Sequence, residues 1–207
     1  MSSLTGGSLN LLNGKYGISA PQKSVPVMKL IRNHNPKSRQ ELVHLIREHS
    51  EKDCACGIIS MGSIEDFGKN LHEAQLEEWG TYRYTLEECI KWEYDLFITQ
   101  SLKGNLIEQK AKNILLKALE GMIVKDSNDY YDEELRIDLV IKKGEENVAG
   151  VQVKPESFHN VRAGVRYMNK HRNTLVGFPV FYLFYDYNTE EFINLSEVIE
   201  GLGGLSR

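Results

Sequence analysis

The stretch LRIDLVIKKGEENVAGVQVKP, residues 135–155, decides the fold. Leu135, Ile137, Leu139 and Ile141 alternate with Arg136, Asp138 and Val140, the period of two that marks a half-buried strand. KGEEN supplies a turn. VAGVQVK then alternates again, with Ala149, Val151 and Val153 on one side and Gly150, Gln152 and Lys154 on the other. A hairpin centred on Glu145 pairs Ile137 with Val153 and Leu139 with Val151, so the two apolar faces coincide. The same register sets Asp138 opposite Gln152 and Arg136 opposite Lys154, with directly opposed Cβ atoms roughly 5 Å apart. An acid, an amide oxygen and an ammonium therefore share one patch.

Outward from the hairpin, GNLIEQKAKNILLKALEG places apolar residues at 107, 111, 114, 115 and 118, the spacing of an amphipathic helix, with Gly121 as its stop. Downstream, a crossover helix over about 156–170 leads to GFPVFYLFYDY, a strand apolar on both faces and expected at the centre of the sheet. EFINLSEVIEGL closes the chain as an amphipathic helix. Upstream, KSVPVMKLIRNHN and PKSRQELVHLIREHS read as two short helices, the second with Ser38 as N-cap. Ser63 and Thr85, each followed by acids in the first turn, start two more. Residues 1–20, rich in Gly, Ser and Asn, read as an irregular arm, 21–99 as a helical region and 100–207 as the part that holds the sheet. The fold class is α/β, a mixed β-sheet flanked by helices with a mainly helical N-terminal part.

A chain of 207 residues with 41% hydrophobic content can bury a core of its own. The apolar runs are shorter than the roughly 20 residues a membrane span requires, and no basic and apolar leader opens the chain, so a cytoplasmic protein is expected. Cys54, Cys56 and Cys89 lack zinc-site spacing and read as reduced thiols. The net charge of −4 is unevenly spread. Residues 22–49 carry six Lys or Arg against two Glu, and 154–172 carry five against one, whereas 65–97 carry nine acids against three bases. Two basic stretches in an acidic chain point to a polyanionic partner. GGSLNLLNGKYG lacks the Gly-Lys-Ser/Thr ending of a phosphate loop, there is no Gly-x-Ser-x-Gly elbow, and the six histidines show no metal-ligand spacing.

Oxygen ligands suit a hard cation such as Mg²⁺, and the Asp138 carboxylate, the Gln152 amide and the Val153 backbone form such a set, to be completed by water and phosphate. Lys154 would stand beside the attacking water. Glu108 in GNLIEQKAKNIL, Asp138 in LRIDLVI and Gln152-Val153-Lys154 in GVQVKP together resemble the PD-(D/E)xK nuclease superfamily. The resemblance covers about residues 100–190 and implies that 100–207 form a PD-(D/E)xK-like catalytic core of restriction-endonuclease-like fold, with 21–99 as a helical DNA-contacting region; GVQVKP and the lead-in PKS are most similar to type II restriction endonucleases of the MjaI-like kind. Gln152 departs from the pattern, standing where most members carry Glu or Asp.

The resemblance implies Mg²⁺-dependent hydrolysis of double-stranded DNA at a short specific site by a homodimer, paired functionally with a protecting DNA methyltransferase. Asp138, Gln152, Lys154 and Glu108 would be catalytic, and Asp138, Gln152 and Val153 would hold the metal. Arg162, Arg166, Lys170 and Arg172, directly after the catalytic strand, would meet phosphates, and Lys37 and Arg39 would extend the contact. Rival readings are a repair or junction-resolving nuclease of the same superfamily and a non-catalytic DNA-binding protein on a degenerate nuclease fold. Each residue also has a plainer use: Glu108 as an ion pair with Lys112, Asp138 as a partner of Arg136 or Lys154, and Gln152 and Lys154 as the wet face of an edge strand.

Overall fold

The computed structural model describes residues 5–20, 24–52 and 59–205. The chain divides into two units, Met1–Asn105 and Leu106–Arg207. Cys54 and Cys56 lie outside the described residues.

The first unit is helical: α1 (Gly7–Tyr16), α2 (Val27–His34), α3 (Arg39–Glu51), α4 (Ile64–Trp79), α5 (Leu86–Tyr94) and a π-helical turn (Asp95–Gln100); α6 (Ser101–Ala118) follows, and from Leu106 on it belongs to the second unit. The caps sit where the sequence signals them. The Glu41 amide donates to Ser38 Oγ, and Ser63/Asp66 and Thr85/Glu88 form reciprocal capping boxes. Helix α1 corrects the reading of residues 1–20 as irregular. Its glycines and asparagines are poor helix formers, but Leu9 and Leu12 bury with Leu71, Ala74 and Trp92, and this packing supplies what propensity lacks. Val27, Ile31, Leu42, Ile46, Phe67 and Phe97 fill a second cluster.

The second unit holds the sheet. Strands β1 (Ile123–Asp126), β2 (Leu139–Lys143), β3 (Glu146–Pro155) and β4 (Val180–Tyr185) lie in the order 1-2-3-4, the first three antiparallel and β4 parallel to β3. A parallel pair needs a long crossover. Here it is a 3-10 turn (Glu156–Asn160) and α7 (Ala163–Thr174); α8 (Leu195–Gly204) follows β4. Ile107, Ala111 and Leu115 of α6 and Val198 and Leu202 of α8 cover one face, packing on Leu139, Ile141, Val151, Val153 and Leu183. On the other face Leu135, Ile137 and Val140 pack with Val176, Phe178 and Val180.

The expected hairpin register holds for Leu139 with Val151, Val140 with Gly150 and Ile141 with Ala149, before a bulge after Ile141 shifts it. It does not reach back to residue 135. A π-helical turn occupies Tyr130–Glu134 and Arg136 adopts φ 59°, so β2 begins only at Leu139. A left-handed residue breaks the alternation. Ile137 therefore packs with Val140 and against Gly150 instead of facing Val153, and the pairing of Arg136 with Lys154 does not form. Two further corrections concern the strands. β1, four residues long, carries too little pattern to be seen in the sequence. β4 stands at the sheet edge, not its centre, because burial of both faces says nothing about in-plane neighbours.

Candidate active site

Asp138 sits at the entry to β2 and is held from both sides. Its amide donates to the Val151 carbonyl at 3.0 Å, while its own carbonyl accepts from the Ser127 amide at 3.1 Å and from Ser127 Oγ at 3.0 Å. This clamp aims the carboxylate along β3. Asp138 Oδ2 accepts from the Val153 amide at 2.6 Å and lies 3.4 Å from Lys154 Nζ, with the Asp138 side chain 7% and that of Lys154 24% exposed. The ion pair foreseen as the plainer use of Asp138 thus exists, but in a largely desolvated setting where it fixes both groups.

Gln152 is fully buried on central strand β3, which rules out the wet face of an edge strand. Its Nε2 donates to Asn169 Oδ1 at 3.2 Å, and Asn169 Nδ2 in turn donates to the Val165 carbonyl at 2.9 Å. Among the described residues Gln152 Oε1 has no hydrogen-bond partner although it is buried. Such an orphan costs about 1–3 kcal/mol, so a native fold that keeps one needs a reason. The hydrogen bond to Asn169 fixes the amide and holds that oxygen in place.

Glu108 lies on α6, which covers the Val151 and Val153 face, whereas Gln152 and Lys154 share the opposite face with Tyr182 and Phe184 of β4. Tyr185 is buried in the cluster on the α6 side. Burial first, then the charges of Tyr187, Glu108, Glu190 and Asp138, push its phenol up to about 12. Lys112 is engaged by Asp126 Oδ2 at 2.5 Å.

A positioning network escaped the sequence reading. Tyr182 Oη donates to Asn173 Oδ1 at 2.6 Å, and Asn173 Nδ2 donates to the Leu135 carbonyl at 2.8 Å, bracing the left-handed turn that presents Asp138. Burial, then the Asp138 charge, raises the Tyr182 pKa. The signal available was Asn169 and Asn173 at i, i+4 on one face of α7, overshadowed by the basic residues around them.

The chemistry of the donors fits a hard cation: one carboxylate and one unsatisfied amide oxygen. Among the described residues no group of three His, Cys, Asp or Glu side chains is placed to hold a metal, so the fit rests on this mixed oxygen set. Cys89 is no candidate, since burial pushes its thiol up to about 11 and keeps it protonated.

The basic residues fall into both units. Arg162 is exposed at the start of α7; Arg166 follows one turn on, its Nη1 donating to the His159 carbonyl; Lys170 is exposed; and Arg172 Nη1 donates to the Glu133 carbonyl at 3.2 Å. Lys37 and Arg39 are exposed at the start of α3, in the first unit.

A central carboxylate–amide–lysine cluster on a helix-flanked mixed sheet is the frame in which the comparisons fall. The family model of the MjaI restriction endonuclease matches residues 7–193, and the chain belongs to that family. It is thereby a type II restriction endonuclease, an endodeoxyribonuclease. No curated protein and no solved structure matches the chain. Among the described residues no helix is long and apolar enough to cross a membrane.

Proposed function

We propose that the protein hydrolyses phosphodiester bonds of double-stranded DNA at a short specific site, with Mg²⁺ held by Asp138, Gln152 and the Val153 backbone in a PD-(D/E)xK arrangement. The observation that carries this reading is the convergence of Lys154 Nζ and the Val153 amide on Asp138 Oδ2, on the strand where Gln152 keeps a buried, unpartnered oxygen. A bound divalent cation supplies Lewis-acid chemistry, neutralising phosphate charge and making water more acidic.

The chain's own residues supply the rest. The pairing with Asp138 anchors Lys154, which donates a hydrogen bond to the attacking water and stabilises the negative charge it acquires. The water gives up a proton to solvent, its oxygen forms a bond to phosphorus as the bond to the leaving oxygen breaks in line, and the leaving oxygen takes up a proton from solvent. Glu108 is a secondary acid that adds negative charge on the α6 side. Arg162, Arg166, Lys170 and Arg172 grip phosphates beside the scissile bond, with Lys37 and Arg39 contacting DNA from the helical region. A homodimer that cuts both strands, and a methyltransferase that protects the host sites, complete the proposal on the strength of the family.

The test is incubation of plasmid DNA with Mg²⁺ and sequencing of the fragment ends. Wild type should give discrete ends sharing a short sequence. Asp138→Ala and Lys154→Ala should each cut at least 100-fold more slowly while still binding DNA. Cutting in either variant at the wild-type rate would sink the site; binding without cutting in Mg²⁺ and EDTA alike would establish the non-catalytic alternative.

A further inference from the structure

Beside the cluster lies a cleft of about 640 Å³, within the range that takes a small organic ligand. Its floor is the outward face of β4 and the 3-10 turn: Phe158 and Tyr182 rings stack with centroids 6.1 Å apart, and Tyr182 and Phe184 at 6.0 Å. His159 lies over Phe184 at 4.2 Å. From α7, Arg166, Tyr167 and Lys170 form the facing wall. No acid lines it. The register ties the cleft to the cluster, since Tyr182 pairs with Gln152 and Phe184 with Lys154 across the parallel strands, so the two pairs point to the same side of the sheet.

Aromatic faces rimmed by two cations, with the Tyr182 hydroxyl already committed to Asn173, suit a planar π-system that carries an anion. Nucleobases stack on such faces irrespective of sequence, and Arg and Lys neutralise the attached phosphate. A base inside a duplex cannot reach this surface, because both of its faces are already stacked. Tyr167, 68% exposed, stacks on His171 with ring centroids 6.2 Å apart and interplanar angle 2°, which steadies its ring on the wall of the cleft.

We infer that this cleft accepts one unstacked nucleobase of the DNA, with Arg166 and Lys170 on its phosphate, next to the bond to be cut. The inference rests on the DNA-hydrolysing reading of the neighbouring cluster and adds to it an extrahelical nucleotide.

The experiment compares, by fluorescence anisotropy in EDTA, the affinity of the full chain for a fully paired duplex and for the same duplex with one unpaired adenine. Unpairing is already met in the second, so wild type should bind it about tenfold or more tightly. The ratio should fall to about one in Phe158→Ala and in Tyr167→Ala by loss of stacking, and persist in Tyr130→Ala, an exposed tyrosine outside the cleft. Equal affinity of wild type for the two duplexes, or a preference that survives in both cleft variants, would overturn the inference and leave the hydrolytic reading standing. Absence of binding to either duplex would overturn both. Loss of the preference at micromolar free dAMP would also overturn it, by assigning the cleft to a free nucleotide.

Discussion

Replacing Gln152 by Met separates a ligand from a packing residue, because methionine keeps the unbranched length of glutamine and removes both polar atoms. Without metal, the exchange relieves the orphaned Oε1, worth about 1–3 kcal/mol, and forfeits the bond from Nε2 to Asn169, worth about 1 kcal/mol. The variant should therefore be as stable as wild type in EDTA or up to about 2 kcal/mol more stable. For a chain of this size that is about 2–4 °C in Tm per kcal/mol. With Mg²⁺ the order changes. At a concentration 100 times its Kd, a ligand stabilises wild type by about 2.7 kcal/mol; a variant that binds it tenfold more weakly gains only about 1.4 kcal/mol. Differential scanning fluorimetry of DNA-free protein with and without Mg²⁺ reads both numbers, and cleavage should fall at least tenfold. Two results would refute the reasoning. A variant destabilised in EDTA by 1 kcal/mol or more, about the worth of one hydrogen bond, would mean that Oε1 has a structural partner. An Mg²⁺-induced gain equal to that of wild type would mean that Gln152 does not touch the cation.

Removing the charges of Arg162, Arg166 and Lys170 should weaken binding to all sequences alike and flatten log K against log salt by about one unit per lost phosphate contact, with Lys37 and Arg39 as the matching pair in the helical unit. An unchanged slope would return these residues to ordinary surface. Glu93, buried with Ser19 Oγ donating to its Oε2 at 2.6 Å, has its carboxyl pushed by burial from 4.5 up to about 7. The folded state thus keeps a proton that the unfolded chain has lost. Stability from this group is full below about pH 4.5 and falls by on the order of 3 kcal/mol as pH rises to about 7, a slope that Glu93→Gln should flatten and that parallel melting profiles of the two proteins would disprove. Gly68→Ala would place a Cβ 2.7 Å from Ile90 Cα where α4 crosses α5, so it should cost about 1–3 kcal/mol in denaturant melts; a neutral result would contradict the close approach of these helices.

What could be read from the sequence and what could not divide by the kind of contact involved. Asp138, Gln152 and Lys154 lie within one hairpin, so a local register argument could bring them together, and the caps at Ser38, Ser63 and Thr85 are local by nature. The contacts that complete the site are made across a crossover: Gln152 with Asn169, and Tyr182 with Asn173 and through it Leu135. No period announces them. Arg136 shows the same limit, since nothing in an arginine signals a left-handed φ, and that single residue turns Ile137 to the other face. β4 is the instructive case. Its apolar residues suggest coverage of both faces, but coverage by helices and pairing by strands are perpendicular to each other, so the inference to a central position does not follow. Nor is the coverage complete. Leu183 and Tyr185 are sealed under α6 and α8, while Tyr182 and Phe184, under the sparsely packed α7, stay half-buried. α7 buries only Asn173 of its own residues, and spends its remaining face on Arg166, Tyr167 and Lys170. An edge strand with an aromatic outer face is an aggregation liability unless something else occupies that face. The second apolar face that suggested a central strand is thus the surface to which we assign an unstacked base.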